Sequence, residues 1–535
     1  MGVSTRGTTA VKAASAALSG LVAGYTALAV AELVAVAVRP EAGPVTAVGG
    51  AMIDRTPSSV KDWAIRQFGT NDKLVLQLGI LAALAVFALA MGLLALRHRR
   101  VAAAGVLVFG VVGALAATGR PDSSSALDAV PSLIGALAGA VVLYVLSGLV
   151  RSSSAPQDGG GADEESTDRS GQGLGRRRFV LATAGVAAFS TGAGFAARRL
   201  NATTAADAEA SRAAVRLPAP ASPAPELPRG VQVKAPGTVP FTTPNRDFYR
   251  VDTALTVPRL DADRWRLRLH GKGVDAPVTL DFADLLRRDL IERDITMTCV
   301  SNEVGGPYVS SARWLGVPLR ALLEEAGVRP PSRGGPADQL VARSVDGMTI
   351  GTPVETVMDG RDAMLAVGMN GEPLPFDHGF PVRMLVPGLY GYVSACKWIQ
   401  DIELTTFDDY DAYWVKRDWA REAPIKTQSR IDTPKPFARP NAGTVVVAGV
   451  AWAQHKGIDR VEIRVDDGPW QDTRLATEGP LDTWRQWSWD WPATPGSHTL
   501  QVRATDRTGS TQTDKRTRTI PDGASGWHSV VVNVT

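Results

Sequence analysis

Four long runs almost free of charge, Ala13 to Val38, Leu74 to Leu96, Val101 to Thr118 and Val130 to Val150, constrain this chain more than any other feature. Each is near the ~20 residues a helix needs to cross a bilayer, where every backbone N–H and C=O must be bonded within the segment. A buried core helix accounts for one such run, but not for four in succession joined by short polar connections. Residues 1–150 are therefore expected to form a four-helix transmembrane region. Arg6 and Lys12 precede the first run, and Arg97, Arg99 and Arg100 fill the turn between the second and third. By the positive-inside rule these residues face the cytoplasm.

Residues 151–175 are rich in Gly, Ser and Asp and bury too little apolar surface to fold, which predicts a flexible cytoplasmic linker. Residues 176–200 open with Arg176-Arg177-Arg178-Phe179 and continue as a weakly apolar run to Ala197. Two readings stand for them. One is a fifth transmembrane helix with a basic flank; the other is a segment resembling a twin-arginine export signal, a route that carries proteins already folded around a cofactor. Both place everything after residue 200 outside the cytoplasm, in a multi-pass protein of the cell membrane. The Ala/Pro-rich residues 201–240 read as a semi-extended tether.

From Phe241 short β-branched segments alternate with helical ones. Asp281 to Arg288 and Pro318 to Ala326 have helical spacing, while Arg264 to His270 and Gln339 to Arg343 read as strands, so residues 241–423 are expected to form a mixed α+β domain. After Pro424 strands stand alone, at Thr444 to Ala451, Arg460 to Val465 and His498 to Ala504, with Asp466-Asp467-Gly468 as a turn. Residues 424–535 are expected to be an all-β sandwich.

The chain has two cysteines, too few for a disulfide framework or a cysteine-rich zinc site. Cys299 ends the β-branched run Asp294-Ile295-Thr296-Met297-Thr298 and is followed by Val300-Ser301-Asn302-Glu303 and the pair Gly305-Gly306, the pattern of a strand delivering one thiol to a loop. Three readings apply: a small buried hydrophobe, a disulfide with Cys396, or a thiolate metal ligand.

Five segments, in order, resemble the molybdopterin-binding domain of the sulfite oxidase family. They are Phe248-Tyr249-Arg250, Thr298-Cys299-Val300-Ser301-Asn302, Ala312-Arg313-Trp314-Leu315-Gly316-Val317, Asp377-His378-Gly379-Phe380-Pro381-Val382-Arg383, and Val386-Pro387-Gly388 to Lys397-Trp398. Gly449-Val450-Ala451-Trp452 and Val461 to Gly468 look like its immunoglobulin-like dimerisation domain. The resemblance covers roughly residues 241 to 535. It implies a molybdenum carried by one pterin, with Cys299 as the protein's metal ligand and Tyr249 and Arg250 beside it as catalytic residues. It also implies a pterin site built from Asn245, Phe248, Arg250, Ser301, Asn302, Asp346, His378, Arg383, Ser394 and Lys397. Of these, Arg250, His378, Arg383 and Lys397 supply the basic groups that the phosphate end of the pterin requires, and the loop Gly388 to Ser394 offers backbone N–H groups.

One departure bears on substrate. Sulfite oxidases proper place arginines four and five residues after the ligand cysteine; here those positions are Glu303 and Val304. The family often carries a haem domain, and the only histidine before residue 200 is His98, so no bis-histidine haem is expected between the spans. The expected partners are a small substrate such as a sulfoxide, an N-oxide or a sulfite-like molecule, and a separate electron carrier, either a cytochrome or a quinone-linked protein. A homodimer through the C-terminal domain is a further expectation. The net charge of +3 is too small and dispersed for nucleic acid. The competing expectation is a non-catalytic, membrane-anchored binding module with a vestigial cofactor fold.

Overall fold

The computed structural model describes residues 3–56, 60, 63, 67–68, 72–120, 123, 125–152 and 168–535. It divides into two units, Met1–Ala206 and Asp207–Thr535. Most of the linker expected at 151–175 lies outside the described residues.

The first unit is helical: α1 (Val3–Val38), α2 (Pro44–Arg55), α3 (Asp72–Ala95), α4 (Arg99–Thr118), α5 (Val130–Ser152) and α6 (Asp168–Ala214), which runs on into the second unit. Five stretches are long and apolar enough to cross a membrane: Ala10–Val38, Leu74–Ala95, Arg99–Thr118, Ala126–Arg151 and Arg177–Ala214. The helices approach closely through small residues and polar contacts, the means by which apolar helices associate where no hydrophobic drive acts between them. A Cβ on Gly20 of α1 would fall 2.0 Å from the Ala88 oxygen of α3, and one on Gly135 of α5 would fall 2.4 Å from the Ala27 oxygen of α1. Thr26 of α1 and Ser190 of α6 share a buried hydrogen bond of 2.8 Å.

The second unit begins with the last turns of α6 and departs from the expected tether. Arg212 donates to the carbonyls of Leu374 (2.7 Å) and Pro373 (2.6 Å), and the hydroxyl of Ser211 accepts from the Ala262 N–H at 2.9 Å. Beyond the helix, Leu217, Leu227 and Val231 pack against the core, and Ser222 bridges in parallel to Ile291. Residues 207–240 therefore lie on the domain. Their prolines cannot donate, but the intervening N–H groups find partners, that of Ser222 on the Leu290 carbonyl (3.2 Å) and that of Val233 on Gln486 of the C-terminal sheets (2.6 Å).

Ten strands form the next two sheets: β1 (Arg266–Gly271), β2 (Val278–Asp281), β3 (Ile291–Thr298), β4 (Val309–Pro318), β5 (Gln339–Ser344), β6 (Thr349–Pro353), β7 (Met364–Met369), β8 (Glu372–Pro373), β9 (Arg383–Leu385) and β10 (Ile399–Thr405). One sheet has the order β2-β1-β10-β5-β6. The other has the order β3-β4-β7-β8, with β9 also on β7. β1 and β10 run parallel; the other pairs are antiparallel. The β4 and β7 strands are buried almost throughout; β7 reads accordingly as a continuous apolar run, while β4 also carries Ser310, Ser311 and Arg313. Asp281 caps the short helix Phe282–Leu286 reciprocally with Asp284.

The C-terminal sandwich packs β11 (Gln428–Thr433), β12 (Gly443–Trp452), β15 (Arg474–Leu475) and β16 (Arg485–Ala493) against β13 (Ile458–Val465), β14 (Gln471–Asp472), β17 (Gly496–Asp506) and β18 (His528–Val534). Alternate residues, Val530, Val532 and Val534 on β18 for instance, point into its core beside Trp487 and Val502. Trp452 and Trp484 instead join the core of the preceding domain.

Candidate active site

β3 ends at Thr298, and the ladder continues one residue further, since the Cys299 N–H donates to the Tyr308 carbonyl at 3.0 Å. The chain then turns, with the Asn302 N–H on the Cys299 carbonyl (3.0 Å) and the Asn302 side-chain oxygen taking the Tyr308 N–H at 2.8 Å. Strand and loop thus hold the thiol buried but at a chain reversal. Both cysteines are free, so the disulfide reading does not apply. Burial pushes the Cys299 thiol up, while the backbone and side chain of Ser301 and the charge of Lys397 pull it back toward the thiolate.

The segment Asn245 to Arg250 is tied to β4. Thr243 exchanges hydrogen bonds with Ser311, and the Tyr249 N–H reaches the Ser310 hydroxyl at 3.4 Å. Phe248 stacks on Tyr249 with centroids 5.2 Å apart and meets Trp314 and His378 edge-on at 5.7 and 5.4 Å. Burial keeps the Tyr249 phenol protonated, and its electrostatic neighbours are Cys299 and Arg383. Its hydroxyl has no hydrogen-bond partner among the described residues.

Four basic residues converge from separate elements. Arg250 and Lys397 both hold the Asp252 carboxylate, at 2.8 and 2.9 Å. Arg250 also lies 3.6 Å from Asp377, and Lys397 donates to the Asp377 carbonyl at 3.1 Å. His378 hydrogen-bonds the Asn245 carbonyl through Nε2 (3.0 Å), so the neutral ring carries its proton there and leaves Nδ1 as an acceptor. Arg383, fully inside, donates to the His378 carbonyl at 3.2 Å and lies over the Trp314 ring, and its Nε has no partner. Gly379, at φ 108°, sets Arg383 and Lys397 side by side: a Cβ there would stand 3.1 Å from the Cβ of each.

The cations outweigh the carboxylates that face them. Burial draws the Arg383 guanidinium down to about 10, and the Lys397 ammonium down to about 8 against the pull of Asp252. A cluster in this condition gains from an incoming anion, which restores the charged forms. Buried atoms without partners, Arg383 Nε, Asn302 Nδ2 and Thr298 Oγ1, belong to residues of the same cluster and of the cysteine strand and loop. A free buried thiol beside a cluster of cations short of anionic partners fits a phosphate-bearing, thiolate-ligated cofactor.

The remaining expected residues are bonded within the protein or exposed at the loop. Asp346 accepts from Thr253 (3.1 Å) and Met348 (3.3 Å) and neighbours Cys396, whose thiol burial pushes up. The Ser394 hydroxyl donates back to the Leu389 and Tyr390 carbonyls, 3.0 Å each, and the N–H groups of Tyr390, Val393 and Ala395 are bonded within the protein. Asn245 contacts Met369, Glu372 and Asn370. Ser301 is exposed. Asp252 is not marked out by the sequence motifs; its one signal is the spacing Arg250-x-Asp252, an acid two residues from a base that needs a buried counter-charge. Tyr308 is not marked out either, because a backbone carbonyl leaves no mark on composition.

His378 and His528, both drawn down to about 4 chiefly by burial, are neutral in the folded protein. For a folded value below the ordinary 6.5, the stabilisation is complete above pH 6.5 and is lost as pH falls through 4. The loss is on the order of 3 kcal/mol per ring. Thermal unfolding of the full chain across that range should show the second unit's transition falling, and an unchanged transition would contradict neutral burial.

Residues 254–414 match the family described as oxidoreductase molybdopterin binding domain. The chain is 29% identical over 292 residues to mitochondrial sulfite oxidase of Rattus norvegicus, covering 47% of this chain and 52% of that one. It is 30% identical over 311 residues to the Drosophila melanogaster mitochondrial sulfite oxidase, covering 50% and 52%. Among solved structures it is similar to the sulfane dehydrogenase SoxCD of Paracoccus pantotrophus, at 26% identity and a TM-score of 0.47, covering 55% of this chain and 83% of that one. The chain spans about half the length of the mammalian relatives it matches.

Proposed function

The chain belongs to the sulfite oxidase family of molybdopterin-binding oxidoreductases, and on that premise we propose that it is a membrane-anchored, extracytoplasmic enzyme moving two electrons and one oxygen atom between water and a small substrate. The observation that carries this reading is the free, buried Cys299 thiol beside a cluster of cations short of anionic partners. When bound, the molybdenum with its pterin would supply the two-electron centre and an exchangeable oxygen site. Cys299 would hold the metal as a soft thiolate. Arg250, His378, Arg383 and Lys397 would hold the pterin's phosphate end, with Asn245, Phe248, Ser301, Asn302, Asp346 and Ser394 forming the rest of its site.

The chain's own residues then have distinct tasks. Ser301 holds negative charge on the Cys299 sulfur through its hydrogen bonds. Tyr249 presents a protonated phenol beside Cys299 and donates to the oxygen of the bound substrate. In the reducing direction an oxidised substrate, two electrons and two protons give the reduced substrate and water, and Tyr249 passes one of those protons. Arg250, partly exposed and held by Asp252, keeps positive charge over the site.

Glu303 and Val304 bring no cation to the cysteine loop, and an anion entering a desolvated cavity needs one. Neutral sulfoxides and N-oxides therefore suit the site better than sulfite. After expression in a pterin-competent host, molybdenum should be stoichiometric with the chain, and sulfite kcat/KM should fall below about 10⁴ M⁻¹s⁻¹. Molybdenum far below stoichiometric amounts would sink the reading. Electrons are exchanged with a separate cytochrome or quinone-linked protein, and the sandwich supplies the surface for a homodimer.

Topology is tested apart from chemistry. Five crossings with Arg97, Arg99, Arg100 and Arg176 to Arg178 on the cytoplasmic side put the second unit outside. Reporters fused after residue 160 and after Thr535 should respond from opposite sides. The same side for both would return the site to the cytoplasm.

A further inference from the structure

The strand and loop that carry Cys299 are held from the sandwich as well as from their own sheet. β3 is an edge strand, and an edge leaves outward N–H and C=O groups that need partners. Thr296, three residues before the thiol, places all three of its polar groups on the sandwich. Its N–H donates to the Asp482 carbonyl (2.9 Å), its carbonyl accepts from Gln454 Nε2 (2.8 Å), and its hydroxyl accepts from the Trp484 N–H (2.8 Å). On the far side of Cys299, Arg430 of β11 donates to the Gly306 carbonyl at 2.9 Å while its Nε is held by Asp432 at 2.8 Å, both side chains buried. Gly305, at φ 80°, lies against the His528 ring, where a Cβ would come within 2.1 Å of Cδ2. That ring is fixed in turn by the Ile431 N–H on Nδ1 at 2.9 Å. Within the loop the Gly306 N–H bonds the Glu303 carbonyl (2.8 Å) and Tyr308 bonds Asn302, so a constraint at Gly305 and Gly306 reaches Cys299.

Cys396 offers a contrast inside the same domain. It is also buried, and more deeply, yet its hydrogen bonds run to Lys397 and Met384.

We propose that the C-terminal sandwich is the positioning element of the cysteine ligand, with Gln454, Arg430 and His528 as its positioning residues. The consequence for a metal rests on Cys299 being its ligand; the positioning itself does not. Removing one clamp leaves the thiol buried but lets its loop open more often, because local opening is opposed by only a few hydrogen bonds.

The test uses the full chain produced without cofactor, alkylated with iodoacetamide at fixed pH, with the two thiols followed separately by mass spectrometry. Gln454→Met keeps volume and removes the donor to Thr296, and Arg430→Met combined with Asp432→Asn removes the clamp at Gly306 without leaving a buried charge. Either variant should speed Cys299 alkylation about tenfold, the scale of one lost hydrogen bond, with Cys396 changed less than about twofold. Parallel acceleration of both thiols, which general loosening produces, would overturn the proposal, and so would no change at Cys299. Should the double variant fail to fold, Gln454→Met decides alone. Full molybdenum occupancy in Cys299→Ser would overturn the ligand reading instead, and the alkylation ratio would stand unaffected.

Discussion

Cys299→Ser is expected to leave the chain folded while turnover falls by more than about 100-fold, beyond the 10–100-fold typical of losing a partner that merely supports a metal ligand. Serine has nearly the same volume, and the backbone bonds of residue 299 to Tyr308 and Asn302 do not involve the side chain. What changes is the donor: a buried hydroxyl stays protonated where a thiol ionises, and its oxygen is a harder, poorer ligand for a redox metal. Melting temperature, molybdenum content and turnover measured on one preparation separate the effects. A folded serine variant with wild-type turnover would remove Cys299 from the chemistry.

Arg383→Met should act with opposite signs in the empty and the loaded protein. Without cofactor, the guanidinium is buried with one hydrogen bond and an unpaired Nε, and burial already draws it down to about 10. Replacing such a group with an apolar side chain of similar length is expected to stabilise by about 1–4 kcal/mol, as apolar replacements of poorly compensated buried charges do. With cofactor, the same change removes a charge-assisted hydrogen bond worth about 1.5–3 kcal/mol, so retention of the pterin should weaken roughly 10–100-fold. Thermal melts of cofactor-free and loaded chain, with pterin release followed by fluorescence, read both signs. A cofactor-free variant less stable than wild type would mean that Arg383 serves the fold through Trp314, and not an anion.

Much of the candidate site could be proposed from the sequence because its residues come in short runs. Cys299 to Asn302, His378 to Arg383 and the pair Tyr249-Arg250 each sit within a few positions of one another, and the structure brings Tyr249, Cys299 and Arg383 into electrostatic contact. Asp346 and Ser394 were legible as positions but not as contacts: one neighbours Cys396 and the other bonds its own turn. Asp252 escaped notice since its role depends on Lys397, 145 residues away. The tether reading of residues 201–240 rests on composition, which reports what a segment cannot donate and not the core that Leu217 and Val231 pack against.

The sequence by itself determined the long apolar helices, the change from mixed α+β to all-β texture near Pro424, and which cysteine ends a strand. Apolar length, strand alternation and turn chemistry are local properties, carried by neighbours along the chain. Only the tertiary structure decided that Arg250 and Lys397 share one carboxylate, that Arg383 is left short of a partner, and that Thr296 and Gly306 are held by the sandwich. Those facts arise where distant segments meet in a buried space, and there the balance of charge and hydrogen bonds depends on every group that shares it.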